Sequence, residues 1–148
     1  YLSKNTLNFT GETQMTPKQV ALRFAEAISK RDVDALYDLM TDDHTFIDGM
    51  GGQISGKERM RDGWRGYYTM VPDYAIEVTE SFESGNIVAM LGEAFGTFTT
   101  DGNLKKENFW KVPAAWRAVI DGDKIRQWQV YADNEPIRII MRREGVLE

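Results

Sequence analysis

The sequence predicts an α+β domain in which three helices pack on a curved antiparallel sheet and enclose a cone-shaped pocket. The first observation is a change of period. Apolar residues recur with a helical period of about 3.6 as far as residue 71 and with a period of about 2 from residue 74 onward. The second observation is the order of the elements, since helices that precede a run of strands are typical of α+β folds.

The first two helices are marked by residues that commonly start helices. Thr16 and Pro17 are typical of an N-cap and a first helical position, and the apolar spacing after them predicts a helix over residues 17–30. Asp32 can cap a second helix that continues from there. The two helices together account for the chain before the first predicted strand.

A short strand and a third helix follow. Residues 44–48 predict the strand, and a glycine-rich bend covers residues 49–56. Ser55 and Glu58 have the spacing of a capping box, so they predict the start of the helix, and Pro72 ends it. The predicted apolar face of this helix consists of Met60, Trp64, Tyr68 and Val71.

The remaining chain predicts four strands joined by turns. Asp121 and Gly122 form a typical hairpin turn, and Pro113 indicates a bulge or a sheet edge within its strand. Residues 136–141 predict the start of a short C-terminal helix. The predicted strands cover residues 74–82, 87–99, 109–120 and 125–133.

Composition excludes several classes of protein. A chain of 148 residues with 42% hydrophobic and 28% charged residues is typical of one globular domain. The net charge of −5 argues against a nucleic-acid partner, which requires a basic surface. One histidine and no cysteine exclude a thiolate or multi-histidine metal site, so we expect no metal and no cofactor. Because no apolar run has membrane-spanning length and no signal-peptide pattern is seen, we expect a cytoplasmic domain that contacts no membrane.

The most informative stretch is Thr41-Asp-Asp-His-Thr-Phe-Ile-Asp48, which places one carboxylate on an otherwise apolar strand face. A carboxyl group that faces an apolar cavity has a raised pKa and can transfer protons near neutral pH. The alternative is a strand-end carboxylate that binds the backbone of the glycine-rich bend. His44 and Phe46 have the same parity as Asp48, but four residues of strand separate His44 from Asp48 by roughly 13 Å, which is too far for a direct pair.

Six short patterns, taken in order, are similar to the nuclear-transport-factor-2-like superfamily in its SnoaL-like and ketosteroid-isomerase-like branch. The similarity covers roughly residues 17–141. It implies a single SnoaL-like domain over residues 16–148 and a homodimer that packs sheet against sheet. Residues 1–15 are polar and lack clear periodicity, so we expect them to form a flexible N-terminal arm or a disordered leader. The patterns are Val20-Ala-Leu-Arg-Phe-Ala-Glu-Ala, Arg31-Asp-Val-Asp-Ala-Leu, Asp42-Asp43, Ile54-Ser-Gly-Lys-Glu, Asp121-Gly-Asp-Lys-Ile125 and Tyr131-Ala-Asp133.

The resemblance implies which residues could act in catalysis. The catalytic base of ketosteroid isomerases maps onto Asp48, but their donor tyrosine falls on Phe24 and their second donor falls near Ala115. Neither residue can donate, so steroid isomerisation is not expected. The acid/base aspartate of SnoaL-like polyketide cyclases aligns with Asp133. The alternative for Asp133 is to cap the C-terminal helix.

Limonene epoxide hydrolases share the fold, but their catalytic residues do not carry over. Their Arg-x-Asp pair falls on residues 92–94, which read Gly-Glu-Ala, and their other aspartate falls near Val130. We therefore do not expect epoxide hydrolysis.

Pocket-lining residues follow from the predicted faces and from the resemblance. Tyr68 could donate a hydrogen bond in place of the donor missing at Phe24. Arg117 shares the parity of Ala115, so it could bind an anionic group or pair with Glu93. The predicted substrate-binding residues are Phe24, Phe46, Trp64, Tyr68, Trp128, Tyr131 and Arg117.

The sequence leaves three hypotheses about function. One is a cofactor-independent acid/base enzyme of the isomerase, dehydratase or cyclase type that acts on a small hydrophobic carbonyl compound, with Asp48 and Asp133 as its catalytic residues. The second is a non-catalytic domain that binds a small molecule or assembles as a dimer. The third is a domain whose function depends on the pairing of its N-terminal arm with another protein. The absence of donors at Phe24 and Ala115 favours the second.

Overall fold

The structure, a computed structural model, describes residues 14–148 and confirms the α+β architecture. A 3₁₀ helix at Lys106–Asn108 precedes the fifth strand. The α-helices are α1 (Pro17–Ser29), α2 (Val33–Asp38), α3 (Lys57–Met70) and α4 (Glu135–Arg143). The strands are β1 (Met40–Ile47), β2 (Gln53–Ser55), β3 (Ala75–Ser84), β4 (Ile87–Thr97), β5 (Phe109–Asp121) and β6 (Lys124–Ala132).

One sheet contains all six strands in the order β2-β1-β6-β5-β4-β3. The β3 to β6 meander is antiparallel, but β1 pairs with β6 in parallel, so the sheet is mixed and not purely antiparallel as the sequence predicted. Register shifts occur between Val78 and Glu80 and between Val119 and Ile120. Such irregularities bend strands, and they help the sheet to curve around the helices.

The start of α1 was predicted correctly, and the start of α3 was not. Thr16 Oγ1 accepts a hydrogen bond from the Gln19 N–H at 3.2 Å, and Gln19 Oε1 accepts one from the Thr16 N–H at 2.8 Å, which completes a capping box. α3 follows Gly56, whose φ of +99° suits only glycine, and no side chain caps it. Ser55 belongs instead to β2, where it pairs with Thr45.

The period of 2 along β5 divides the sheet into an inner and an outer face. Trp110, Val112, Ala114, Trp116 and Ala118 are all buried on the inner face, which α1 and α3 cover. Their neighbours in the sequence point to the outer face. Pairing with β6 begins only at residue 114 of β5, so Pro113 lies where the strand has a neighbour on one side, as an edge position requires.

The predicted N-terminal arm, residues 1–15, lies outside the described residues except for Gln14 and Met15. Met15 packs against the core beside α1. Each helix found in residues 14–148 is too short or too polar to span a lipid bilayer.

Candidate active site

A cavity of about 320 Å³ lies between the inner face of the sheet and the helices α1 and α3. This volume is at the small end of the roughly 300–1,000 Å³ that is usual for ligand pockets. Among the described residues, its lining contains one charged side chain, Asp48, and the rest is aliphatic, aromatic or amide. The cavity therefore suits a small and largely apolar molecule.

Five aromatic side chains form a continuous row along this cavity. Successive ring centroids lie 6.2 Å apart from Phe46 to Trp64, 6.5 Å from Trp64 to Tyr67, 4.9 Å from Tyr67 to Tyr74, and 6.0 Å from Tyr74 to Trp110. All four contacts are edge-to-face or tilted, which aromatic pairs prefer over a face-to-face stack. The row gives the cavity two ends, one near Phe46 and the other near Trp110.

Asp48 lies at the opening of the cavity near Phe46. Its side chain is exposed, and Oδ1 accepts hydrogen bonds from the Met50 N–H at 2.8 Å and the Gly52 N–H at 2.9 Å. Oδ2 has no hydrogen-bond partner in the described part of the chain, and it lies so close to Gly52 that a Cβ there would be 2.6 Å away. Asp48 thus closes a turn, has one carboxylate oxygen without a hydrogen bond in the described chain, and belongs to the cavity lining.

Asn134 lies on the other side of the same opening. A Cβ on Gly49 would lie 3.2 Å from Asn134 Nδ2 and 3.0 Å from the Ala132 carbonyl oxygen, so a glycine lets the two segments approach closely. The sequence pointed instead to Asp133, which is exposed and does not line the cavity. Its Oδ1 accepts a hydrogen bond from the Glu135 N–H at 2.9 Å, so Asp133 closes the turn into α4. The prediction missed the cavity residue by one position.

Tyr68 was predicted to point a donor into the pocket, and the structure places it elsewhere. Its hydroxyl donates to the Ile28 carbonyl oxygen at 2.7 Å, and its ring stacks on Trp64 at 5.6 Å. The preceding residue, Tyr67, lines the cavity instead. Because successive residues of a helix point about 100° apart, sequence spacing alone could not separate Tyr67 from Tyr68 next to Trp64.

Arg117 and Tyr131 were predicted to line the pocket, but they lie on the outer face of the sheet. Arg117 alternates with the buried Trp116, and Tyr131 is 51% exposed and pairs with Ala115 across β5 and β6. An alignment that slips by one residue in a strand reverses the face of every side chain, which explains the error. The inward neighbours that do line the cavity are Trp116 and Val130.

The other predicted aromatic residues divide between lining and core. Phe46, Trp64 and Trp128 line the cavity as predicted. Phe24 does not, because it is fully buried in the core, where its ring lies 4.7 Å from the Trp128 ring. Phe24 therefore supports a cavity wall without touching the space inside.

Two tyrosines and two tryptophans carry unused donors around the cavity. Trp64 Nε1 and Trp110 Nε1 are buried without a hydrogen-bond partner among residues 14–148. Tyr67 and Tyr74 line the same cavity, and in the described chain hydroxyl hydrogen bonds are made by Tyr37 and Tyr68 but not by these two tyrosines. Burial raises the pKa of the Tyr67 and Tyr74 hydroxyls well above the ordinary value, so both stay protonated. Sequence reasoning assigned Tyr74 only to a strand and left out Tyr67. The one signal in the sequence that could have identified these two tyrosines is the high aromatic content of residues 64–74.

His44 is fully buried in β1 and makes one hydrogen bond. Nδ1 lies 2.8 Å from the Ile125 carbonyl oxygen, which can only accept, so Nδ1 carries the proton. Nε2 has no partner in the described chain. Burial lowers the pKa of His44, so the ring is neutral near neutral pH.

The described residues contain no group of three or more His, Cys, Asp or Glu side chains arranged to hold a metal ion. The cavity lining contains one carboxylate and no histidine. The chemistry that these side chains can perform is therefore proton transfer at Asp48 and hydrogen bonding from the tyrosines and tryptophans.

The family model of the SnoaL-like domain matches residues 21–128, and the chain therefore belongs to that family. This confirms the resemblance seen in the sequence. No curated protein matches the chain in sequence.

Solved structures of low sequence identity share the fold. A candidate SnoaL-like polyketide cyclase from Shewanella denitrificans is 15% identical, with a TM-score of 0.73 over 86% of this chain and 97% of the other. A protein with a ketosteroid isomerase-like fold from Catenulispora acidiphila, in complex with trimethylamine, is 19% identical, with a TM-score of 0.72 over 90% and 96%. An epoxide hydrolase from M. tuberculosis that resembles limonene epoxide hydrolase is 15% identical, with a TM-score of 0.70 over 88% and 92%.

Proposed function

We propose that the chain is a cofactor-independent acid/base enzyme that acts on a small, neutral, hydrophobic carbonyl compound, with Asp48 as the general base. One observation carries the proposal. Asp48 is the single charged side chain in the described cavity lining, and one of its oxygens is fixed by two backbone N–H groups while the other is unbonded. A general base needs this combination of fixed position and free lone pairs.

The proposed step is proton transfer alone. Asp48 Oδ2 takes a proton from a carbon that is activated by a carbonyl group, and the electrons of the broken C–H bond move to the carbonyl oxygen. The protonated carboxyl group then returns the proton to another carbon, which isomerises the compound, or the enolate reacts onward by elimination or ring closure. None of these steps changes the oxidation state of the enzyme or requires a second reactant.

The family supports a pocket that performs chemistry on small molecules. Solved structures with this fold include the epoxide hydrolase from M. tuberculosis and the candidate polyketide cyclase from Shewanella denitrificans. Folds of this kind host several reactions, so the reaction of this chain has to be argued from its own cavity. Of the reactions considered, isomerisation needs the fewest catalytic groups, and the end of the cavity that contains Asp48 supplies them.

Asp48→Asn tests the proposal, and Asp133→Asn is its matched control. Hydrogen–deuterium exchange at carbon would be followed by ¹H NMR for a panel of bicyclic ketones and conjugated enones in D₂O. Loss of a general base costs about 10²–10⁴ in rate, so Asp48→Asn should abolish exchange while ligand binding persists. Asp133→Asn, which changes an exposed turn carboxylate outside the cavity, should keep the exchange rate.

A non-catalytic binding module is the second candidate function. It is favoured by the exposure of Asp48 and by its two hydrogen bonds to the turn, which give the carboxylate a structural role without any chemistry. If the wild-type protein binds the panel in its cavity but exchanges no proton, or if Asp48→Asn exchanges as fast as the wild type, the binding module is the correct function.

We also propose that two copies of the chain pair through their outer sheet faces. Leu91, Phe82 and Tyr131 are 41%, 57% and 51% exposed on this face, and in the described part of the chain the helices pack on the opposite face. Exposed apolar residues grouped on one face are typical of an interface. Sedimentation of the wild type and of Leu91→Lys tests this: a dimer should become a monomer, and a monomeric wild type refutes the pairing.

A further inference from the structure

We propose that the cavity end opposite Asp48 is a subsite for the acceptor oxygen of a neutral ligand, held by the Tyr67 and Tyr74 hydroxyls beside Trp110. The proposal takes the cavity as the binding site, as the proposed function does, but it does not require Asp48 to be catalytic. It adds the orientation of the ligand and a preference for one chemical class. The ligand binds with its oxygen inward and its apolar body along the aromatic row.

The three side chains lie together at the inner end of the row. The Tyr67 and Tyr74 rings meet edge to face at 4.9 Å, and Tyr74 lies 6.0 Å from Trp110. Tyr74 and Trp110 are each 8% exposed, and all three line the cavity. Trp110 Nε1 is buried without a hydrogen-bond partner in residues 14–148. Among the same residues, hydroxyl hydrogen bonds are made by Tyr37 and Tyr68 but not by Tyr67 or Tyr74, so the donors of Tyr67 and Tyr74 are available to a ligand.

Close backbone packing builds this end. Gly96 of β4 pairs with Trp110 of β5, and a Cβ on Gly96 would collide with the Val71 side chain and lie 3.3 Å from Tyr74 Cα. Glycine therefore brings the segment that carries Tyr74 against the strand next to Trp110. The Tyr74 and Trp110 donors lie close together because residue 96 is a glycine. A larger residue at position 96 would push the two segments apart.

The sheet register places the donors far from Asp48. Ile47 pairs with Gln129, which pairs with Arg117, so Asp48 lies at the level of that part of β5. Trp110 is seven residues earlier on β5, which puts its backbone on the order of 20 Å away along the strand. Asp48 and Trp110 both line the cavity, so they mark two well-separated parts of its wall.

The charges around the cavity favour a neutral oxygen over an anionic one. The described lining has no lysine, arginine or histidine, and its one charge is the carboxylate of Asp48. Tryptophan is only a donor, and the buried tyrosines remain protonated because burial raises their pKa. A ketone or ester oxygen can accept from such groups, whereas a carboxylate ligand would lose its hydration without gaining a counter-charge.

The orientation also narrows the substrate class of the proposed enzyme. If the oxygen lies at the inner end and Asp48 lies at the opening, the carbon that loses its proton is distant from the oxygen. The negative charge that forms on this carbon can reach the ligand's oxygen only through conjugated double bonds. Planar conjugated ketones of two fused rings are therefore the class that fits both ends of the cavity.

Three naphthalene compounds of similar shape test the subsite. The probes are 2-acetylnaphthalene, which has a ketone oxygen; 2-isopropenylnaphthalene, which replaces this oxygen by a CH₂ group; and 2-naphthoate, which carries a negative charge. Affinities would be measured by isothermal titration calorimetry for the wild type, Tyr67→Phe, Tyr74→Phe and the double variant. Tyr68→Phe is the matched control, because that hydroxyl already donates to the Ile28 carbonyl oxygen.

The expected result is a preference for the ketone that depends on the two hydroxyls. The wild type and Tyr68→Phe should bind the ketone about three- to tenfold more tightly than the alkene, as one or two net hydrogen bonds provide, and should bind naphthoate most weakly. The double variant should bind the ketone and the alkene within about twofold of each other, and each single variant should lie between these limits.

Three results would overturn the subsite: equal affinity of the wild type for ketone and alkene, no binding of the ketone, or a preference that survives in the double variant. Failure of the proposed catalysis is a separate result. If the protein prefers the ketone through Tyr67 and Tyr74 but exchanges no proton, the subsite is supported and the role of Asp48 as a general base is refuted.

Discussion

His44 should make the stability of this protein depend on pH between neutrality and mild acid. It is the single histidine of the chain, it is fully buried in β1, and its Nδ1–H donates to the Ile125 carbonyl oxygen. Burial lowers its pKa in the folded state, since a charged imidazolium would lose its hydration there. The unfolded chain gives the same ring its ordinary pKa of about 6.5.

The direction of the effect follows from these two states. At a pH well above 6.5 the ring is neutral in both states, and His44 adds no pH dependence. As the pH falls below about 6.5, the unfolded chain binds a proton before the folded protein does, so the free energy of unfolding decreases. One proton contributes at most about 1.4 kcal/mol per pH unit, and the decrease stops below the folded-state pKa. Between pH 7.5 and pH 5.5 the expected loss is up to about 1.4 kcal/mol.

Urea unfolding at pH 7.5 and pH 5.5 would measure this loss in the wild type and in His44→Asn. Asparagine keeps a side-chain donor near the Ile125 carbonyl oxygen and cannot be charged, so the variant should show little change between the two pH values. Carboxyl groups with lowered pKa, such as Glu135 beside Arg142, lose their contribution at lower pH and do so equally in both proteins. Equal pH dependence in the wild type and the variant would refute the account of His44.

Three further substitutions test the packing of the core, the sheet and the surface of α3. Phe24→Ala should lower the free energy of unfolding by about 3–5 kcal/mol, because the ring is fully buried, and a loss below about 1 kcal/mol would contradict its core position. Gly92→Ala should cost about 3 kcal/mol or more, because its Cβ would overlap the Glu77 carbonyl oxygen on the neighbouring strand, whereas Gly66→Ala in α3 meets open space and should stabilise by about 0.5–1 kcal/mol. Urea unfolding measures all three, and similar effects at the two glycines would contradict the register of β3 and β4.

Much of the fold could be predicted from the sequence, because the spacing of apolar residues and the residues that cap helices are local signals. The change from a helical period to a period of 2 separated α3 from β3, and the capping box of Thr16 and Gln19 fixed the start of α1. The parallel pairing of β1 with β6 could not be predicted, since it joins segments separated by most of the chain. Ser55 shows a different limit, because a capping-box spacing is also compatible with a short strand.

The candidate site could be predicted only where the residue position did not depend on exact register. Asp48, Phe46 and Trp64 were identified because one polar residue on an apolar face, or one large ring on a helix, is visible in the sequence. Tyr67 and Asn134 were missed by a single position in favour of Tyr68 and Asp133. At the edge of a helix face or the end of a strand, one residue decides between the cavity and the surface.

The same one-residue limit explains the residues placed on the wrong face of the sheet. Arg117 and Tyr131 have the opposite parity to Trp116 and Val130, and only the strand register determines which pair lies inside. Tyr74 illustrates a second limit. Its role depends on the packing of Gly96 against the segment before β3, a contact between residues 22 positions apart, which no local pattern reports.

A crystal structure of the protein with 2-acetylnaphthalene would show directly where a ketone oxygen binds. We expect one molecule inside the cavity along the aromatic row, with its ketone oxygen within hydrogen-bond distance of the Tyr67 or Tyr74 hydroxyl and its far ring toward Asp48. The compound bound in the reverse orientation, or seated in the shallow groove beside Tyr131 on the outer face, would contradict this expectation.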